Sequence, residues 1–178
     1  MRVNNIYLSK KRFKEKIMER LIFLGDSITA WNPRRDVVNC GIPGDTVRDI
    51  LWRIEDIKDE GESRVYLMAG INDVLMGLSK IKTLEDYKKV LIFLKKSCKK
   101  VSVVSVLPIA EDIEKNQKIL SLNKGISDLC MEADIDYIDV YREFLDEKGW
   151  LDYRYTTDGI HLSAMGYTIL NRVIEKGQ

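Results

Sequence analysis

The sequence has little of several features that define large classes of protein. Its 178 residues include three cysteines and one histidine, and 29 Lys and Arg residues nearly balance 28 Asp and Glu residues. Cys40, Cys98 and Cys130 form no CxxC pair and have no histidine cluster beside them, so neither a disulfide framework nor a zinc site is predicted. We expect reduced, partly buried thiols instead. A net charge of +1 argues against a protein whose main partner is a nucleic acid.

Long hydrophobic segments are also missing. The longest strongly apolar run, Val101 to Ala110, has about half of the ~20 residues that span a bilayer. We therefore expect no transmembrane helix and no stable membrane insertion. The first twenty residues hold seven Lys or Arg and two Glu but no apolar core and no small-residue cleavage site, unlike a secretory signal. A cytoplasmic location is the resulting expectation.

The distribution of charged and apolar residues divides the chain into two segments. Residues 1–20 form a basic arm that is predicted to be a solvated amphipathic helix, because Phe13, Ile17 and Leu21 recur at helical spacing. The arm is a candidate for a docking surface, for shielding of a sheet edge or for contact in a homodimer. Residues 21–178 contain no repeat, low-complexity tract or Pro/Gly-rich linker, which predicts a single domain.

The domain alternates short apolar runs with longer segments of helical period. Five runs rich in β-branched or aromatic residues are predicted strands: 21–24, 36–39, 64–68, 101–106 and 137–140. Four apolar stripes of helical spacing are predicted helices, behind the capping candidates Asp45 and Thr46, behind Thr83, from Ile119, and behind Ser163. Right-handed βαβ units follow. The predicted fold class is α/β, a flavodoxin-like three-layer α/β/α sandwich with a five-stranded parallel sheet.

Polar and glycine residues concentrate in the loops that leave these strands. The segments are Gly25-Asp26-Ser27, Gly41 to Thr46 and Gly70-Ile71-Asn72-Asp73, and a further one runs from Asp158 to His161. Each segment alone is also an ordinary turn sequence. In open α/β sheets, however, ligands bind beyond the carboxyl ends of the strands, so we expect these loops to meet at one site.

Acyl transfer needs a nucleophile, a base, a group that orients the base, and hydrogen-bond donors for the developing oxyanion. Ser27 is the candidate nucleophile, because its hydroxyl would be exposed at a strand-to-helix turn. His161, the single histidine, is the candidate base. Asp158 precedes it by three residues and can accept a bond from its ring. The alternative for this pair is a structural histidine with a capping aspartate.

Three groups are candidate oxyanion donors. They are the backbone N–H of Ser27, the backbone N–H of Gly44, which has no Cβ to block a ligand, and the side-chain amide of Asn72. Short acidic and hydroxyl side chains in the same loops are expected to order the backbone rather than to take part in the chemistry: Asp26, Asp45, Thr46 and Asp73.

With these segments in this order, the chain resembles the SGNH hydrolases, the superfamily of GDSL-type esterases and lipases. The matching residues span positions 25 to 161. The resemblance implies a flavodoxin-like fold and hydrolysis of acyl esters, with Ser27 as nucleophile, His161 as base and Asp158 as orienting acid. It also implies the oxyanion donors named above. No cofactor is expected, and one histidine disfavours metal-dependent hydrolysis.

Other interpretations stay open at this stage. An ordinary α/β-hydrolase is disfavoured because no GxSxG motif occurs, and a phosphate or nucleotide binder because neither a Walker A loop nor GxGxxG occurs. A catalytically inactive family member would act as a ligand-binding module. The chain departs from compact members of the family by its N-terminal arm and by Trp31, which is expected to narrow the entrance.

The expected substrate is a small-molecule ester, with an acetyl group on a sugar or another small alcohol favoured because no lid-sized insertion occurs. Acyl thioesters and lysophospholipids are the alternatives. Candidate pocket residues follow the third and fourth strands or lie near the mouth: Leu75, Met76, Leu78, Leu107, Pro108, Ile109, Trp31, Trp150, Tyr153 and Tyr155.

Overall fold

Five strands form a parallel sheet in the computed structural model of this protein, which describes residues 20–57 and 62–177. They are β1 (Arg20–Gly25), β2 (Val38–Gly41), β3 (Ser63–Met68), β4 (Lys100–Val104) and β5 (Asp136–Ile138). Their order is β2-β1-β3-β4-β5, with every neighbouring pair parallel. This is the flavodoxin-like order, so the predicted fold class is confirmed. Apart from Arg20, the predicted basic arm lies outside the described residues.

Helices cover both faces of the sheet. They are α1 (Ser27–Ala30), α2 (Val47–Arg53), α3 (Ile71–Leu75), α4 (Lys80–Ser97), α5 (Ile113–Ala133) and α6 (Ala164–Lys176). Ile22 and Leu24 of β1 belong to the core under α2, α4 and α5, whereas Phe23 packs with Leu170 and Ile174 of α6. Successive side chains of a strand point to opposite faces, so residues 21–24 of β1 are all apolar because both faces of the strand are covered there.

One of the predicted helix starts is wrong, and a second helix extends beyond its predicted apolar stripe. Helix α4 begins at Lys80 behind Ser79, and Thr83 lies inside its first turns, because the Thr83 hydroxyl donates to Asp73 Oδ1 at 3.0 Å instead of capping the helix. The stripe predicted from Ile119 begins six residues earlier, where Asp112 caps α5 by accepting a bond from the Lys115 N–H.

The other two starts are confirmed in position. Thr46 caps α2, and its capping box with Asp49 satisfies two backbone donors. Asp45, the second candidate there, does not cap the helix and instead accepts a hydrogen bond from Arg53. Ser163 caps α6 by accepting a bond from the Gly166 N–H.

The fourth strand is shorter than predicted. It ends at Val104, although the buried apolar run continues to Ile109. The backbone of this continuation bonds to side chains of α5: the Val106 N–H donates to Asn123 Oδ1 at 2.8 Å and the Ile109 N–H to Asn116 Oδ1 at 2.9 Å. An apolar run with these partners is a buried loop, which composition alone does not separate from a strand.

The structure also bears on the expectations about membrane-spanning helices and about the three cysteines. Across 20–57 and 62–177, no helix is long and apolar enough to cross a membrane. Cys98 and Cys130 are buried and Cys40 is half-buried, and none of these three residues forms a disulfide. Burial raises the pKa of the Cys130 thiol to about 12, so this side chain behaves as an apolar core residue.

Candidate active site

The predicted site lies where the strand order reverses, at the carboxyl ends of β1 and β3. Ser27 follows β1 and Asn72 follows β3, and these two strands are neighbours in the sheet. Crevices at such a switch point are the usual ligand sites of open α/β sheets. The last residue of β1, Gly25, is a glycine because a Cβ at this position would lie 2.2 Å from the carbonyl oxygen of Met68.

Helix α1 holds Ser27 at its first position. Asp26 is the N-cap residue, and its Oδ1 accepts a bond from the Ile28 N–H at 2.9 Å. The carbonyl of Ile28 accepts a bond from the Tyr167 hydroxyl of α6 at 3.0 Å, which ties this short helix to α6. Ser27 itself is 5% exposed, so the nucleophile candidate lies at the bottom of the crevice.

The structure brings Ser27, His161 and Asp158 into one hydrogen-bonded chain. His161 Nε2 lies 3.1 Å from Ser27 Oγ, across a separation of 134 residues. His161 Nδ1 lies 2.6 Å from Asp158 Oδ2. A serine hydroxyl, an imidazole and a carboxylate in this order are the arrangement in which a base can take the serine proton.

The state of Asp158 fixes how the histidine is protonated. Burial by itself would raise the pKa of this carboxyl, but bonds from the His161 ring and from the His161 and Ile160 backbone N–H groups outweigh it and lower the pKa to about 2. Asp158 is therefore a carboxylate at neutral pH and accepts hydrogen bonds only. In the neutral imidazole the His161 Nδ1 therefore carries the proton toward Asp158, which leaves Nε2 as the acceptor that faces Ser27.

The turn that carries both residues is ordered by Thr156, which the sequence analysis did not single out. Its Oγ1 accepts a bond from the Gly159 N–H at 2.9 Å and donates to the His161 carbonyl at 2.7 Å. The Gly159 carbonyl accepts a bond from the Ala110 N–H at 2.9 Å. A threonine two residues before Asp158 is a turn signal, but nothing local in the sequence indicates the contact with Ala110.

The other two predicted donors, Gly44 and Asn72, lie in loops that touch each other. The Asn72 Nδ2 donates to the Asp45 carbonyl at 2.9 Å, which fixes the amide beside the residue after Gly44. The Ile42 N–H donates to the Gly25 carbonyl at 3.0 Å, which joins the same loop to the end of β1. Gly44 has φ +88° and open space where a Cβ would stand, so the backbone conformation rather than crowding requires glycine there.

The four residues expected to order the loops are buried and hydrogen-bonded. Asp73 accepts bonds from the Val47 N–H at 3.0 Å and from the Thr83 hydroxyl, so it joins α3 to the starts of α2 and α4. Burial raises the pKa of Asp26 to about 7, and the bond from Ile28 only partly counters that effect. Asp26 is thus a buried carboxyl next to the nucleophile candidate.

The predicted pocket residues do not share one surface. Leu107, Pro108 and Ile109 line a cavity with Asp26 and Ile160, and its volume of about 10 Å³ holds roughly one water molecule. Leu78 instead lines a groove of about 340 Å³ with residues of α4 and α5.

The aromatic candidates near the mouth also separate. Trp31 lies against His161, with ring centroids 4.4 Å apart, and is 52% exposed. Tyr155 packs edge-on against the buried Phe144, and Tyr153 is exposed. Trp31 is therefore the aromatic candidate in direct contact with the proposed base.

No metal-binding cluster of three or more His, Cys, Asp or Glu side chains occurs in the described ranges 20–57 and 62–177.

Comparison with known proteins gives concordant results. Residues 23–169 match the GDSL-like lipase/acylhydrolase family. A GDSL-like lipase from Bacteroides thetaiotaomicron superposes with a TM-score of 0.79 at 26% identity, covering 89% of this chain and 86% of that one. An acetylxylan esterase from Geobacillus stearothermophilus superposes with a TM-score of 0.79 at 22% identity, covering 90% of this chain and 94% of that one.

A longer relative matches in part. The N-acylneuraminate cytidylyltransferase of Streptococcus agalactiae is 24% identical over 150 residues, which cover 84% of this chain but 36% of that protein's length. The chain thus spans about a third of this relative, so the likeness concerns one part of a larger protein.

Proposed function

Because the chain belongs to the GDSL-like lipase/acylhydrolase family and is thus a serine hydrolase that acts on ester bonds, we propose that it removes a small acyl group from a sugar or another small alcohol. An acetyl ester is the favoured substrate. Ser27 is the nucleophile, His161 the base and Asp158 the orienting acid.

The contact between Ser27 Oγ and His161 Nε2, at 3.1 Å, carries this proposal. A binding module has no need for a hydroxyl that faces the unprotonated nitrogen of an oriented imidazole. A hydrolase needs this arrangement, because a serine hydroxyl is a weak nucleophile until a base removes its proton.

In the first half of the reaction, Ser27 Oγ attacks the ester carbonyl carbon while His161 Nε2 takes its proton. The negative charge that forms on the carbonyl oxygen is bound by the Ser27 and Gly44 N–H groups and the Asn72 amide. The imidazolium, stabilised by the Asp158 carboxylate, then protonates the alkoxide as the C–O bond breaks and the alcohol leaves.

The second half repeats these steps with water. His161 Nε2 removes a proton from water, the hydroxide attacks the acyl carbon on Ser27, and the same donors bind the new oxyanion. The tetrahedral intermediate collapses, Ser27 Oγ leaves with the proton from His161, and the carboxylic acid is released.

Two observations support a small acyl group. The cavity lined by Asp26 and Ile28, the sequence neighbours of Ser27, is about 10 Å³, so there is no room for a fatty acyl chain at that place. The similar proteins described above include an acetylxylan esterase and an N-acylneuraminate cytidylyltransferase, whose names point to acetylated and sugar-like molecules.

The activated serine is tested by labelling with a fluorophosphonate, which modifies serine only when it is activated. Intact mass should show one label on the wild type and none on Ser27→Ala. Ser121→Ala is the matched control, because Ser121 is an exposed serine of α5 whose hydroxyl accepts a bond from Lys80. Absence of labelling on folded wild-type protein would contradict the hydrolase mechanism and favour a binding module.

The acyl preference is tested with p-nitrophenyl esters from acetate to palmitate and with acetylated monosaccharides. The highest kcat/KM is expected for acetate, with a decline at chains longer than butyrate. An optimum at octanoate or beyond would contradict the small-acyl proposal and favour a lysophospholipid or thioester substrate.

A further inference from the structure

Arg53, the last residue of α2, connects three parts of the candidate active site. Its side chain is 19% exposed. Nε donates to Asp45 Oδ2 at 2.7 Å, and Nη2 donates to the carbonyls of Gly25 at 3.2 Å and Cys40 at 3.0 Å. One guanidinium therefore binds the ends of β1 and β2 and the loop that follows β2.

Two of these partners lie close in sequence to a proposed oxyanion donor. Gly25 is two residues before Ser27, and Asp45 directly follows Gly44. The backbone carbonyl of Asp45 also accepts the bond from Asn72. The side chain of Arg53 thus holds the backbone beside two donors, and through Asp45 it reaches the third.

We infer that Arg53 is a positioning residue that sets the geometry of the oxyanion hole formed by Ser27, Gly44 and Asn72. This inference rests on the proposed esterase reaction. Oxyanion donors act only when they are fixed at the place where the charge develops, and a displacement of about 1 Å can cost on the order of 100-fold in rate.

The shape of arginine is part of the inference. A guanidinium is a planar fork whose N–H groups have fixed directions, whereas a lysine ammonium is a compact charge on a flexible stem. A lysine at position 53 can still pair with Asp45, but it cannot hold the carbonyls of Gly25 and Cys40 in the same way. The conservative substitution therefore separates the charge of Arg53 from its geometry.

The same helix offers a matched control. Arg48 also donates through Nε to a buried aspartate, Asp86 of α4, at 2.9 Å. Asp86 is additionally paired with Lys89. Arg48 thus makes the same kind of ion pair on the same helix, but toward α4 and away from the strand ends.

The experiment compares Arg53→Lys, Arg53→Met and Arg48→Met by thermal unfolding and by kcat and KM for p-nitrophenyl acetate. Arg53→Met should lower kcat by about 10- to 100-fold, with KM changed by less than about threefold. Arg53→Lys should keep Tm within a few degrees yet lower kcat by about tenfold. Arg48→Met should retain kcat within about twofold.

A double variant with Asn72→Ala identifies the route of the effect. If Arg53 acts through the oxyanion hole, the losses from Arg53→Lys and Asn72→Ala overlap, and the double variant is more active than the product of the two factors predicts. Fully multiplicative losses would overturn the inference, as would an Arg53→Lys variant with wild-type kcat.

These outcomes are distinct from failure of the proposed function. A folded wild type that neither labels with fluorophosphonate nor hydrolyses esters overturns the esterase proposal, and this inference with it. A wild type that is active together with a fully active Arg53→Lys variant overturns the inference alone.

Discussion

The loops that carry Ser27, Gly44 and Asn72 are bonded to one another across the sheet edge and bury their aspartate side chains, whereas the turn that carries Asp158 and His161 leaves its aspartate half exposed. In the first group, which we call the donor half (residues 25–29, 41–46 and 70–73), the acidic side chains are almost fully covered. In the second, the base half (residues 156–162), the Asp158 side chain is 52% exposed.

The difference matches what each half has to do in the proposed reaction. Oxyanion donors must keep their geometry while charge develops, and buried hydrogen bonds hold them in place. The base has to exchange protons and let water reach the acyl-enzyme, which an exposed turn permits. Rigidity is therefore concentrated where charge is stabilised, and access where protons move.

The largest expected effect comes from removing the groups that the two halves bring together. Ser27→Ala and His161→Ala should each lower kcat/KM for p-nitrophenyl acetate by about 10⁴- to 10⁶-fold, because the nucleophile and its base act as one unit. The double variant should be no worse than either single variant. Circular dichroism should show retained fold, and a fully active His161→Ala protein would contradict the mechanism.

The second prediction concerns the stability of the donor half. The pKa of Asp26 is about 7 in the folded protein, raised mainly by burial from the ordinary aspartate value of 3.8. A raised pKa means that the stabilising contribution is fully present below about pH 4 and is lost as pH rises to 7. In Asp26→Asn this loss disappears, so the stability of the variant relative to the wild type should increase from pH 4 to 7. The increase in relative unfolding free energy is at most about 4 kcal/mol, and it is measured as a rising difference in Tm between the two proteins.

Asp158→Asn is the control from the base half. Its carboxyl has a pKa of about 2, lowered from 3.8, so its contribution to stability is present above about pH 4 and is lost only as pH falls toward 2. Compared in a His161→Ala background, where no imidazole is paired with residue 158, the Tm difference between Asp158→Asn and the unsubstituted Asp158 should therefore stay constant from pH 5 to 8. A difference for Asp26→Asn that is equally flat would show that Asp26 is ionised in the folded protein across this range.

The third prediction tests a donor directly. Asn72→Ala should lower kcat by about 10²- to 10³-fold, with a smaller change in KM, since the amide binds charge that exists only in the transition state. Asn171→Ala is a suitable control, because this amide pairs with Asn32 between α6 and the end of α1. Equal losses in the two variants would indicate general loss of structure rather than a lost donor.

The succession of strands and helices along the chain could be predicted because each element depends on local sequence patterns. Each predicted strand is a short run rich in β-branched or aromatic residues next to a glycine or polar turn. The side chains of Thr46 and Ser163 cap their helices by accepting bonds from backbone N–H groups three residues later. The pairing of Asp158 with His161 was accessible for the same reason, because the two residues are three positions apart.

The remaining features depend on partners that are distant in sequence. The end of β4 could not be predicted, because Asn116 and Asn123 take over its backbone bonds from α5. Thr83 resembles a helix cap, but its partner Asp73 lies ten residues earlier. Nothing in the sequence pointed to Arg53, since its partners are the Asp45 carboxylate and the carbonyls at the ends of two strands.

The contact between Ser27 and His161 is intermediate between the features that local patterns predict and those that depend on distant partners. Nothing local indicates that residue 27 meets residue 161, but in a doubly wound fold the strand-end loops converge at the switch point. Knowledge of the fold class therefore supplied a contact that spacing alone could not.

The smallest effect is expected from Trp31, which restrains the exposed base half. Its ring lies 4.4 Å from the His161 ring, and aromatic contacts of this kind contribute about 0.5–1.5 kcal/mol. Trp31→Ala should therefore lower kcat/KM by about 2- to 10-fold, and Trp31→Phe by less. Trp52→Ala, which removes a tryptophan of α2 that is 76% exposed, should leave activity unchanged.

Results outside this range would change the comparison between the two halves. A loss of more than about 100-fold in Trp31→Ala, carried by KM, would mean that the ring binds substrate as well as restraining the imidazole. An unchanged kcat/KM would mean that Asp158 and the bonds of Thr156 are sufficient to hold His161. In that case the base half would be as well ordered as the donor half despite its exposure, and burial would not be what fixes catalytic geometry in this protein.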